Sequence, residues 1–314
     1  MKKRFKKIMI IIFIIFILLG IWFFGDNNKE FYNMANKEYP IPGLDSSFSS
    51  QGICETPDHK YILVSGYMYD KSPSRIYLIN RKSKKIEKYF TLKLNNKDFN
   101  EHAGGIETDG KNVWIVASGK LYNFSYNKIN SNNNYIEIDG VLDTLNGADF
   151  LTIDGNYLWV GEFYLKNTYE TDKSHHIGNN KAICFRFRIN SNNKYGVDPK
   201  PNMALSIPKK VQGMAITNDK IILSTSYALT KSHIYFYKNI TNGTSEHFDD
   251  KRGRMPLYIL KDSDLVKDLK IPAMSEEIDI IDNRLFIMNE SSTKKYKLFT
   301  REKIKDIFSI EIKY

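Results

Sequence analysis

A chain of 314 residues that is 42% hydrophobic and 26% charged can bury a sizeable core and is too apolar to be a disordered segment. Half of its formal charge of +10 comes from Lys2, Lys3, Arg4, Lys6 and Lys7; the remaining chain sets 41 cations against all 36 acidic residues. That small excess, with no later lysine and arginine block of the kind that grips a phosphate backbone, excludes nucleic acid as the partner.

The five early cations lead into Ile8 to Phe24, a run with no charge and one glycine, Gly20. At 1.5 Å per residue such a run spans about 25 Å as a helix, longer than a secretory h-region and enough to cross a bilayer core with flanking help. It ends in Trp22, Phe23 and Phe24 rather than in a small-residue cleavage site, so a retained signal-anchor is expected. No cysteine near its end offers a lipid attachment point. The positive-inside rule then predicts a cytoplasmic segment 1–7, a transmembrane helix 8–24, a linker 25–35 and an extracytoplasmic domain 36–314. The expected location is the cell membrane, single-pass, with the C-terminal domain outside.

Past the linker one pattern recurs: a polar or small opening, an apolar stretch, a two-residue turn and a second apolar stretch. The copies are Gln51-Gly52-Ile53-Cys54 to Tyr61–Ser65, Gly104-Gly105-Ile106 to Val113–Val116, Asp149-Phe150-Leu151 to Leu158–Gly161, Gln212-Gly213-Met214 to Ile221–Ser224, and Glu276-Glu277-Ile278 to Leu285–Met288. Asp109-Gly110, Asp154-Gly155, Asn218-Asp219 and Asp282-Asn283 at the turns tolerate positive φ, so each copy reads as a β-hairpin. A third, aromatic-rich strand follows each hairpin: Arg75–Ile79, Leu121–Phe124, Ile183–Phe187, His233–Tyr237 and Lys295–Phe299. Weaker fourth strands follow, such as Lys88–Leu92 and Tyr135–Ile138. Four-stranded units repeated without helical periodicity predict an all-β five-bladed β-propeller; a six-bladed ring with one degenerate blade is the alternative. Ile41-Pro42 stands before the first hairpin as Ile207-Pro208 and Ile271-Pro272 stand before later ones. Glu38 to Pro42 is therefore expected to complete the last blade as its outer strand, removing an open edge. In that ring Cys54 and Cys184 fall on non-adjacent blades and should be unpaired, buried thiols.

Inner strands of a propeller start on one face, which places Gln51, His102, Asp149, Gln212 and Glu276 around the channel mouth. Ser65, Glu162, Ser224, Ser226 and Glu290, at the ends of second strands, are expected to reach the channel from one layer out. The ligand-binding candidates are thus Gln51, His102, Asp149, Glu162, Gln212 and Glu276. Asp149, Glu276 and Glu277 are candidate ligands for Ca²⁺ or Mg²⁺, hard cations that collect carboxylate oxygens. The long loop Tyr164 to Lys181 carries His175-His176, read as a surface pair whose side chains diverge. Trp114 and Trp159 occupy matching second-strand positions and are expected to fill the wedges between blades.

The Gln-Gly-apolar openings, the Ser-x-Tyr segments Ser65-Gly66-Tyr67 and Thr225-Ser226-Tyr227, and Met274–Ile278 resemble a group of secreted or membrane-anchored bacterial β-propellers of unassigned activity. More loosely, the chain is similar to NHL/SMP-30-like propellers and to five-bladed glutamine cyclotransferases, over about residues 36 to 300. The resemblance to SMP-30-type hydrolases implies a channel metal held by Glu, Asn and Asp, of which only the Glu and Asp part is present here. The resemblance to cyclotransferases implies a Gln-Gly-Leu-type opening with further acidic residues, and the match stops at Gln51-Gly52. Two functions stand open: a module that binds a wall polymer, peptide or protein partner at the cell surface, or a metal-assisted hydrolase or lyase with His102 as general acid/base.

Overall fold

The computed structural model describes residues 28–314, together with Lys7 and residues 9–14. Residues 8 and 15–24 of the expected membrane span therefore lie outside the described residues. Among those described, no helix is long and apolar enough to cross a membrane.

Five sheets form five blades of four antiparallel strands, each counted from its innermost strand. Blade 1 comprises Phe48–Glu55, Tyr61–Met68, Arg75–Asn80 and Ile86–Leu94; blade 2 comprises Ile106–Thr108, Asn112–Ala117, Lys120–Ser125 and Gly140–Asp143. Blade 3 holds Phe150–Asp154, Tyr157–Gly161, Ala182–Arg188 and Met203–Ile207; blade 4 holds Val211–Ile216, Lys220–Thr225, Ser232–Lys238 and Leu265–Ile271. Blade 5 takes Ser275–Ile281, Arg284–Asn289 and Asp306–Glu311 from the C-terminus and its outer strand, Asn36–Pro40, from the other end of the domain. Asn36 pairs with Ser309 and Pro40 with Asp306, so the ring is clasped by hydrogen bonds between the chain's two ends. The clasp is where the sequence placed it.

Three of the four turn pairs use the positive φ their chemistry tolerates: both Asp282 and Asn283 take it, and at Asp109-Gly110 and Asp154-Gly155 the glycine does, whereas at Asn218-Asp219 neither residue does. The core is laid down between blades rather than inside them. Trp114 packs with residues of blades 2 and 3, and Trp159 with residues of blades 3 and 4, both fully buried as the wedge reading requires. Cys54 and Cys184 are free and buried, on the inner strand of blade 1 and the third strand of blade 3.

Three expectations change. Lys295–Phe299 is not the third strand of blade 5; that strand is Asp306–Glu311, and residues 290–305 form a loop. Tyr135–Glu137 does not finish blade 2, because Gly140–Asp143 does; Tyr135–Glu137 crosses to pair in parallel with the outer strand of blade 1. In the same way a hairpin inserted in blade 4, Glu246–Asp250 with Gly253–Ile259, pairs in parallel with the outer strand of blade 3. Each insertion covers the neighbour's exposed edge, and the extra hairpin that a six-bladed ring would need is used up there. Lastly, residues 28–35 are not a linker. Lys29–Met34 forms a helix whose Phe31 is buried against Phe308.

Candidate functional site

Inner strands begin at the channel mouth with a defect that re-aims side chains. In blade 1 Ser50 pairs with Gly66 and Gly52 with Ser65, so Gln51 is an extra residue; in blade 4 Gln212 is extra in the same sense. In blade 5 Glu276 and Glu277 together interrupt the pairing between Ser275–Asn289 and Ile278–Ile287. These are β-bulges, and a bulge turns a side chain out of the alternating pleat. The recurrent Gln-Gly and Glu-Glu openings are the sequence form of that device.

Glu277 turns onto the propeller axis. Its Oε2 accepts the amide hydrogens of Ile53 at 2.8 Å and Ile106 at 3.0 Å, and its Oε1 that of Leu151 at 3.4 Å. One carboxyl of blade 5 thereby holds the inner strands of blades 1, 2 and 3. Glycines make the room: a Cβ on Gly105 would stand 2.1 Å from Glu277 Oε1, and one on Gly213 would stand 2.7 Å from its Cα. Burial pushes the Glu277 carboxyl well up, against the pull of these three amides.

Above this plug opens a cavity of about 630 Å³. Gln51, His102, Asp149, Gln212 and Glu276 all line it, so the structure gathers five residues spread across all five repeats. Glu276 shares a hydrogen bond with the carboxyl of Glu290, which also accepts from Gln51 Nε2 at 3.0 Å. Burial, then the Glu290 charge, drives the Glu276 carboxyl well above the ordinary range, and burial pushes Glu290 up to about 7. The pair holds a proton at neutral pH and can exchange it with a bound group. Across the bowl, burial pushes Asp149 up to about 7, although its Oδ2 accepts the Phe163 amide at 2.7 Å. Asp149 is crowded by protein yet open to cavity water, which limits that rise.

His102 stacks on Tyr67 with ring centroids 3.9 Å apart. Burial, then the Lys295 ammonium, lowers its pKa to about 4; the side chain still meets solvent, and the direction suffices to make it neutral at pH 7. Lys295 Nζ donates to Tyr67 Oη at 2.5 Å and lies over the rings of Tyr67 and Tyr296. Lys295 is the only lysine or arginine among the described residues lining the cavity, and the walls are completed by Phe163, Tyr169, Tyr227 and Tyr296.

Other expected members are placed elsewhere. Glu162 does not reach the cavity: it is buried, with Oε1 bonded to His175 Nδ1 at 2.9 Å and to the Ile183 amide at 3.0 Å, and Oε2 to the Gly147 amide. His175 is accordingly buried rather than on the surface, while His176 turns the other way, 3.1 Å from Thr171 Oγ1. The long insertion is fastened to blade 3 by this pair. Ser65 Oγ donates to the Gly104 carbonyl and Ser224 meets Ser275 at 2.9 Å, so these serines staple adjacent blades; Ser226 and Glu290 do line the bowl. The three candidate metal ligands face different partners: Asp149 the Phe163 amide, Glu276 its neighbour Glu290, and Glu277 the three axial amides. Among the described residues no three His, Cys, Asp or Glu side chains gather as a metal-binding group.

Sequence reasoning missed Lys295 and Tyr296, which it had set in a strand, and the aromatic wall. The Ser-x-Tyr segments were the available signal for Tyr67 and Tyr227.

No protein-family model matches the chain, and no curated protein matches it by sequence. Among solved structures, the chain is similar to the glutaminyl cyclase of Myxococcus xanthus. The likeness has a TM-score of 0.47 at 9% identity and covers 88% of this chain and 95% of that one. It is also similar to the hydrazine synthase of Kuenenia stuttgartiensis, with a TM-score of 0.40 at 11% identity over 83% of this chain and 74% of that one. The five-bladed ring is evident from its own strand order.

Proposed function

We propose that this protein is a membrane-anchored extracytoplasmic β-propeller that binds an amine-bearing ligand, such as the free N-terminus of a peptide, in its bowl. The observation that carries the reading is the excess of acidic over basic groups in the cavity: Asp149, Glu276 and Glu290 against the single ammonium of Lys295. With no ligand, burial holds protons on these acids. An ammonium group entering the bowl stabilises their ionised forms, and the Tyr169, Tyr227 and Tyr296 rings offer π faces to the same cation. A volume of about 630 Å³ lies within the range of pockets that enclose a small-molecule-sized group, such as the first residues of a peptide. The apolar run 8–24 behind five cations supports the anchor and the outside location of the domain.

The test is calorimetric titration of the full chain in detergent with short peptides, each with a free or an acetylated N-terminus. Free peptides should bind at least tenfold more tightly, and Glu276→Gln should remove that preference. Equal affinity for both forms, or none for either, removes the amine reading. Protease added to intact cells should digest the domain if it lies outside.

A further inference from the structure

We infer that the loop 291–305 lies against anionic lipid headgroups, so that the open bowl faces the membrane to which the chain is tethered. The inference rests on the anchor reading above and goes beyond it, by fixing which face of the disc meets the bilayer.

Where the tether leaves the domain comes first. Asn28 Nδ2 donates to Glu302 Oε1 at 2.7 Å and Tyr32 Oη donates to Glu302 Oε2 at 2.6 Å. Glu302 belongs to the loop between the second and third strands of blade 5, and such loops lie on the bowl side. The short helix Lys29–Met34 then runs towards the opposite face, where Met34 meets Tyr314. The apolar run ends at Phe24, four residues before Asn28, and four residues of extended chain reach at most about 14 Å. A membrane span ending at Phe24 cannot leave the loop around Glu302 far from the headgroups.

The loop has the composition for that position. Residues 291–305 carry Lys294, Lys295, Lys297, Arg301, Lys303 and Lys305 against one carboxylate, Glu302. Leu298 and Phe299, 82% and 67% exposed, are the two most exposed large apolar side chains of the propeller. Exposed apolar side chains between cations are the pattern of an interfacial segment: the apolar groups enter the headgroup boundary and the ammonium groups meet phosphates. The rest of the bowl rim agrees. Tyr69, Tyr169, Tyr227 and Leu229, on the corresponding loops of blades 1, 3 and 4, are also exposed. On the opposite face Ile86, Leu265 and Val266, at the starts of outer strands, are exposed as well, but none as far as Leu298 or Phe299. A ligand for the bowl would then be presented from the membrane plane, by a lipid-linked molecule or the outer end of a membrane protein.

The experiment uses the full chain incorporated in vesicles of phosphatidylglycerol and phosphatidylcholine containing a spin-labelled phosphatidylcholine as quencher. Phe299→Cys carries a fluorescent thiol label, with Asp219→Cys on the opposite face as control; the native thiols are buried. The label at 299 should lose at least half its fluorescence and the label at 219 almost none. Adding Lys297→Glu and Leu298→Ser in the Phe299→Cys background should restore most of the signal while the chain still floats with the vesicles. Chain that floats with an unquenched label at 299, or with quenching at 219 instead, overturns the docking alone. A label at 299 that becomes shielded without quenching points to a second protein copy on this face and overturns it too. Chain that fails to float with vesicles overturns the anchor reading and this inference with it.

Discussion

The Glu277 carboxyl, at the start of blade 5, accepts the amide hydrogen of Ile53, in the inner strand of blade 1, at 2.8 Å. The same side chain reaches blades 2 and 3 through Ile106 and Leu151. A ring of separate sheets has apolar wedges to hold neighbours together, but its axis is a column of innermost strands, and amides on their channel side have no neighbouring strand to accept them. One buried acceptor on the axis satisfies three of them and also forms the floor of the bowl.

Glu277→Ala should therefore destabilise the domain strongly. Each buried amide left without an acceptor costs about 1–3 kcal/mol, so three together exceed about 3 kcal/mol, readable as a lower urea midpoint. Gly105→Ala approaches the same contact from the other side, since its Cβ would fall 2.1 Å from Glu277 Oε1, and should lower the midpoint as well. An unchanged midpoint in both variants would mean that the axial carboxyl holds nothing.

Asp149 and Glu290 give the bowl a pH dependence with a definite sign. Both carboxyls have raised folded-state values, Glu290 to about 7 and the water-exposed Asp149 less far, so the folded chain holds protons that the unfolded chain releases near pH 4. Stability contributed by these groups is then greatest below pH 4, falls as pH rises towards 7, and is level above it. Asp149→Asn should flatten the fall in melting temperature between pH 5 and 8. Amine binding should show the opposite trend, strengthening as pH rises through about 7 and the carboxyls ionise. A melting profile that is the same for wild type and Asp149→Asn would remove Asp149 from this account.

The blade count, the clasp and the five rim residues were legible because hairpin turns are local chemistry and because ring symmetry turns a repeat position into a place. Loops obey no such symmetry. Lys295–Phe299 alternates charged and apolar residues with period two, as a half-buried strand does, but its alternation serves a loop that turns Tyr296 to the bowl and leaves Leu298 in solvent. Glu162 sits at a second-strand end like Glu290, and sequence cannot tell which of two equivalent carboxyls looks inward. The answer depends on the loop that follows: where His175 is available behind the strand, Glu162 turns to it, and where the following loop 291–305 holds no histidine, Glu290 faces the cavity. Gln51, Gln212 and Glu276 were found for a reason only partly visible in the sequence, since the glycine after each glutamine signals a bulge.

The His175–Glu162 pair is expected to fasten the 164–181 insertion. Truncating His175 removes one of three buried hydrogen bonds to Glu162, and such losses run to about 1–3 kcal/mol. The effect should be local first: His175→Ala should speed proteolytic cleavage within 164–181 before global unfolding is affected. Cleavage at the wild-type rate would show that the insertion is held by something else.

Two kinds of position can be separated by one comparison of stability. Trp159 is buried between blades 3 and 4, so Trp159→Ala removes a large indole from a closed wedge and should cost about 3–5 kcal/mol. Glu276 and His102 line an open cavity, and the fold does not depend on their side chains for a wedge contact. Glu276→Gln keeps the shape and removes a carboxyl that burial disfavours, and His102→Ala loses one stacking contact with Tyr67. Both should melt within a few degrees of wild type while losing amine binding. If the two rim variants unfold as readily as Trp159→Ala, the residues at the channel mouth are plugs of the ring, and the bowl is a consequence of the architecture rather than a binding site.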